Sequence, residues 1–144
     1  MADGQDRLER LFEHRQTVEE NCRLRVQAAR EAAREYERQL EELEITLARL
    51  QPRTVRNENA KHLAVLQRYR QRLRCSAERL REQAQAERER LNGEKDALTS
   101  AGQDRLAVER LLRVRKTEER RRKLAIAQAD VDQHGRLRVM RQEV

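Results

Sequence analysis

The sequence predicts an all-α fold: an elongated two-helix antiparallel coiled-coil hairpin whose longer C-terminal helix overhangs the N-terminus. Three observations carry this. Of 144 residues, 41% are charged and 2% aromatic, with one Pro, four Gly and no Trp. Two Tyr and one Phe cannot fill a globular core, which relies on burying large apolar side chains. The 37% of hydrophobic residues, mainly Leu, Ala and Val, lie among Glu, Arg and Gln at a spacing that alternates between three and four. Charge alone would also fit disorder, but the spacing of the leucines decides for helices.

The first helix is expected over about residues 5–50, which contain no Gly or Pro. Its seam reads Leu8, Leu11, Val18, Cys22, Ala29, Ala32, Tyr36, Leu43 and Leu50, with Arg15, Arg25, Gln39 and Thr46 as polar insertions. At 1.5 Å per residue this is a rod of about 70 Å. Pro52 stops it, because the residue before a proline is pushed out of the helical region. A turn is expected over about 51–57, with Thr54 or Asn57 capping the start of the next helix.

The second helix is expected over about 58–140. Its seam reads Leu63, Leu66, Leu73, Ala77, Leu80, Ala84, Leu91, Leu98, Ala101, Val108 and Leu112, interrupted by Arg70, Glu87, Glu94 and Arg105. Asn92-Gly93 and Thr99-Ser100-Ala101-Gly102 are soft spots, since Gly costs about 1 kcal/mol against Ala inside a helix. They read either as a continuous helix with weak points or as a hinge, Ser100 with Gln103 resembling a helix restart.

In an antiparallel pair, the numbers of facing seam residues add to a constant. A constant of 109 sets Leu8 against Ala101, Leu11 against Leu98, Val18 against Leu91, Ala29 against Leu80, Ala32 against Ala77, Tyr36 against Leu73 and Leu43 against Leu66. It also sets Arg15 against Glu94 and Gln39 against Arg70, with Cys22 against Glu87 and Arg25 against Ala84 as weaker matches. A parallel homodimer would stack Arg15 on Arg15 and Arg25 on Arg25, so a monomeric hairpin is expected. Cys22 and Cys75 would lie about 18 Å out of step, too far for a disulfide. Residues beyond about 109 would have no partner, an overhang of roughly 50 Å if helical.

Charge follows the same division. Residues 1–50 hold 9 basic and 12 acidic side chains, residues 51–108 hold 13 and 8, and residues 109–144 hold 11 and 6. An acidic first helix is thereby matched to a basic second one. Only four of the 33 basic residues are Lys, and the rest carry the flat, multi-donor guanidinium suited to carboxylates. Met1-Ala2-Asp3-Gly4 leads into charged residues with no apolar stretch, so no secretory signal and no membrane span are expected, and the chain reads as cytosolic with reduced cysteines.

Catalytic and ligand patterns are not found. There is no Gly-rich phosphate loop, His14, His62 and His134 are isolated, and no His-x-x-x-His or Cys-x-x-Cys occurs. Glu19-Glu20, Glu41-Glu42 and Glu118-Glu119 are expected on solvated faces, away from the seam. The chain is therefore expected to be no enzyme and to carry no metal or cofactor.

The most informative local feature is the basic overhang, with Arg110, Arg113, Arg115, Lys116, Arg120, Arg121, Arg122 and Lys123. As a nucleic-acid stripe it lacks aromatics to stack on bases, and Glu118 and Glu119 interrupt it. As a solvated face it fails to explain Leu111, Leu112, Val114, Leu124, Ile126, Val131, Leu137, Val139 and Met140, which run beside it without an intrachain partner. A protein-binding helix with a basic flank, aimed at an acidic site, accounts for both.

The stretch RLLRVRKTEERRRKLAIAQADVDQHGRLR, especially Asp130-Val131-Asp132-Gln133, resembles the C-terminal segment of the FliJ/YscO/HrpO group, the central-stalk proteins of flagellar and virulence type III secretion systems. The likeness covers the whole chain in length and layout. It implies a cytoplasmic protein, peripheral to the inner-membrane secretion apparatus, whose paired termini enter a hexameric export ATPase and whose hairpin end faces the export gate membrane protein. Secretion chaperones and stator components are further partners in that family. The basic residues of the overhang would meet the ATPase ring, and Leu47, Leu63 and Tyr69 are the exposed candidates at the hairpin end. The scarcity of aromatics in the second helix favours the virulence branch. A nucleic-acid-binding coiled coil and a structural adaptor or stator component are the alternatives.

Overall fold

In the computed structural model, residues 2–50 and 60–142 are described. They form two α-helices, α1 (Ala2–Arg49) and α2 (Ala60–Gln142), with no strand among the described residues. The fold is all-α, as the sequence predicts. Both helices begin or end two or three residues beyond their expected limits. Pro52 and the caps proposed at Thr54 and Asn57 lie outside the described residues.

Continuity along both helices is supported locally. The hydroxyls of Thr17, Thr46, Thr99 and Thr117 each donate back to the carbonyl four residues earlier, at 2.9–3.0 Å. Each hydroxyl is thereby satisfied within its own helix, at the cost of a slight local bend. Helix α2 passes without a break through both soft spots. On the surface of α1, Arg38 bridges Glu35 and Glu42, one turn away on either side, at 2.6 Å each.

The described chain divides into two compact units, one of residues 1–19 with 101–144 and the other of residues 20–100. In each, a stretch of α1 runs antiparallel to a stretch of α2. The buried residues are small: Ala29, Ala33, Ala77, Ala84 and Ala101, with Cys22, Val26, Val108 and Leu112. Small residues at contact positions permit the close end of the 8–10 Å range of helix separations.

The register differs from the expected one. In the 20–100 unit, Arg88 pairs with Glu37 at 2.8 Å and Arg81 with Glu44 at 3.2 Å, so facing numbers add to 125 and not 109. In the other unit Arg105 Nε donates to Glu19 Oε2, and those numbers add to 124. The difference is about two heptads. The pairs expected of 109 are not formed. Arg15 approaches Asp104, not Glu94, at 3.6 Å. Gln39 donates to Glu35 of its own helix at 3.1 Å and does not meet Arg70.

On α2 the expected seam positions from Arg70 to Leu112 are all buried or half-buried. On α1 every second expected position holds, from Leu8 to Leu50 in steps of seven, but Leu11, Val18, Arg25, Ala32, Gln39 and Thr46 are replaced by Phe12, Glu19, Val26, Ala33, Leu40 and Leu47. Val18 and Ala32 remain half-buried at the margin. Cys22 is buried and Cys75 exposed, both as free thiols.

Glu19 is the one buried charged residue among those described, at 8% exposure, and so departs from the solvated face expected of the Glu19-Glu20 pair. It sits in a ladder: Arg105 also reaches Glu109 at 3.1 Å, and Glu109 accepts from Arg113 at 2.9 Å. Removing one member of a buried ion pair leaves the other uncompensated, whereas exposed pairs such as Glu37–Arg88 contribute about 0.2–1 kcal/mol.

Stability should respond to changes at two positions. Glu19→Ala should cost about 1–2 kcal/mol in urea unfolding followed by circular dichroism, because the half-buried Arg105 loses one of its two carboxylate partners and keeps only Glu109. Gly93, with nothing within 4 Å of where a Cβ would stand, sits mid-helix, so Gly93→Ala should stabilise by about 1 kcal/mol and raise the melting temperature.

Candidate functional site

Helix α2 has 83 residues and α1 has 48, so much of α2 cannot be paired within the chain. The observed register decides where the excess falls. Continuing the Glu44–Arg81 pairing to the end of α1 leaves α2 without an opposite residue from 60 to about 74, by a one-for-one antiparallel count. In the 1–19 and 101–144 unit, the Arg115 guanidinium reaches Gly4, lying 3.1 Å from where a Cβ would stand. By the same count from Glu19–Arg105, Ala2 falls opposite about 122, so the far end of α2 has no opposite residue only from about 123 onward.

The single overhang starting near 109 is thus corrected to two. Leu112 is buried, and Glu109 lies half-buried in the Arg105 ladder. Glu9, Phe12, Glu13 and Gln16 of α1 line one shallow cleft with Glu109, Leu112, Arg113 and Lys116 of α2. Arg113 and Lys116 consequently belong to the paired part of the helix, with acidic neighbours in their own chain. Arg110 and Arg115 are exposed beside them.

Beyond this, every described residue from 113 to 142 is exposed. Arg120, Arg121 and Arg122 have no ion-pair partner among the described residues, and Lys123 pairs loosely with Glu119 at 3.6 Å. Leu124, Ile126, Val131 and Met140 are 63–70% exposed. Adjacent exposed cations and large aliphatic side chains, on a helix stretch with no second layer, form an open surface and not a pocket that encloses a small molecule.

At the other end of α2, Leu63 and Tyr69 are exposed as expected, and Leu66 and Val65 join them. Leu63 and Leu66 were expected to be seam residues; the end of α1 does not reach them. Leu47, expected to be exposed, is instead half-buried on the paired face of α1. The 60–74 stretch was missed because the 109 register assigned the whole excess to the C-terminal end.

The described residues hold no cluster of His, Cys, Asp and Glu arranged to take a metal ion, and no helix among them is long and apolar enough to cross a membrane. The electrostatics are those of a helix surface. Hydrogen bonds from Arg38 and then Gln39 hold the exposed Glu35 carboxyl below its ordinary value, and Glu35 in turn raises Arg38. This contribution is present at neutral pH and is lost as pH falls through the lowered Glu35 value. In Arg38→Ala, an NMR titration should find Glu35 nearer the ordinary carboxylate range.

No family model, curated protein or solved structure matches the chain.

The two unpaired stretches have a measurable signature. Backbone amides of residues 120–140 should exchange with solvent about tenfold or more faster than those of 77–108, because packing against α1 is what adds to the intrinsic stability of a helix. Equal protection along the whole of α2 would show that a second copy covers the free end.

Proposed function

We propose that the chain is a non-enzymatic stalk protein of a type III secretion system. It binds the hexameric export ATPase through the free C-terminal part of α2 and links it to the export gate through the opposite end of the helix pair. The observation that carries this is the exposed basic and apolar stretch of residues 120–140, in the same unit as the start of α1. Arg120, Arg121 and Arg122, without carboxylate partners among the described residues, suit acidic groups lining a socket. Leu124, Ile126 and Val131 supply the apolar burial that charge alone lacks. The layout of helices and the terminal segment's resemblance to the FliJ/YscO/HrpO group support the same reading.

A second reading, nucleic-acid binding, draws on the same arginines but finds no aromatic residue from 109 to 144 to stack on bases. The two separate cleanly. Added to a purified hexameric secretion ATPase, the chain should stimulate turnover. Replacing Arg120, Arg121 and Arg122 together by Glu should abolish the stimulation while leaving helix content unchanged. No stimulation by the unaltered chain refutes the stalk; DNA affinity that falls steeply with salt would favour the second reading.

A further inference from the structure

The stretch of α2 that has no opposite residue in α1, residues 60 to about 74, carries a charge pattern unlike the rest of the chain. Residues 60–77 contain Lys61, Arg68, Arg70, Arg72 and Arg74 and no acidic residue. At 100° per residue, Leu63, Leu66, Tyr69 and Leu73 share one face. That face is the direct continuation of the seam that α1 covers from Ala77 onward. Leu63, Leu66 and Tyr69 are 40–48% exposed on it.

The end of α1 brings no acidic residue to this stretch. The last acidic residue of α1 is Glu44, already paired with Arg81. From Ile45 to Asn59 the sequence offers Arg49, Arg53 and Arg56 against the single acid Glu58. The Nε of Arg70 is buried and has no hydrogen-bond partner among the described residues. A buried guanidinium donor without an acceptor is costly, and a carboxylate is its natural complement.

We propose that residues 60–74 dock an acidic amphipathic helix of a partner protein, laid along the α2 seam where α1 ends. Its apolar stripe covers Leu63, Leu66 and Tyr69, and its flanking carboxylates meet Arg70, Arg72 and Arg74. Glu37–Arg88 and Glu44–Arg81 show the same mode within the chain, acids of one helix on arginines of α2. A second copy docking through the same stretch does not fit, since it would bring another five cations and no anion to the contact. This inference concerns an exposed segment separate from the ATPase-binding stretch.

The probe is a synthetic three-heptad peptide with Leu at the seam and Glu on both flanks, labelled for fluorescence anisotropy, with a Gln-for-Glu peptide as control. The full chain should bind the Glu peptide and not the Gln peptide. Leu63→Ser with Leu66→Ser, and separately Arg70→Gln with Arg72→Gln, should each weaken binding about tenfold or more at unchanged helix content. The variant with Glu at 120, 121 and 122 should bind as the unaltered chain does. Equal binding of both peptides, or indifference to the Leu63 and Leu66 changes, overturns the proposal. So does loss of binding in the 120–122 variant. Leu63-dependent binding to phosphatidylserine vesicles without peptide binding assigns the surface to lipid and overturns it as well.

Discussion

The contact between Glu19 and Arg105 sets the terms for the rest of the molecule. A heptad seam built on alanine buries little area per residue, so registers two heptads apart differ little in hydrophobic free energy. Burying an uncompensated charge costs several kcal/mol, which is larger than that difference. With Glu19 in the seam, the pairing that brings an arginine to it is favoured over one that sets it against an apolar residue. A polar residue at a seam position specifying register is the best attested use of such groups.

Once the register is fixed, so is the division of labour along α2. The excess length falls at both ends, and each end carries a different chemistry. The later stretch mixes cations with acids and large aliphatics; the earlier one is purely cationic with a narrow apolar face. Between them Arg81, Arg88 and Arg105 of α2 are matched by Glu44, Glu37 and Glu19 of α1. Arginine is thus an ion-pairing residue where the helices pair and an exposed cation where they do not, and only the register distinguishes the two settings.

Much of this was legible in the sequence. Composition and spacing gave two helices, their limits to within a few residues, the antiparallel pairing and the α2 seam from Arg70 onward. What failed was the choice between two interleaved α1 stripes. Leu11, Val18 and Ala32 share their stripe with Arg25, Gln39 and Thr46, whereas Phe12, Val26, Ala33, Leu40 and Leu47 share theirs with Glu19 alone. The second stripe is the more apolar, and counting across all six positions would have found it. Glu19 disguised it, because a lone carboxylate reads as a surface residue until Arg105 is seen opposite. The bare start of α2 was hidden by the same error, as a register of 109 covers Leu66 with Leu43. The absence of acids from 60 to 77 was visible throughout, but it acquires meaning only once α1 is known to stop short.

The alanines at the contact positions have a mechanical consequence. Between helices separated by leucines, side chains can change rotamer and let one axis roll against the other. Between helices separated by Ala29, Ala33, Ala77 and Ala84 there is almost nothing to rearrange, and rolling brings backbone against backbone. Such a pair resists twist more than its small buried area would indicate, because torsional stiffness depends on how closely the backbones meet and not on how much surface they bury. Substituting leucine for these alanines would be expected to soften the pair even as it added apolar area.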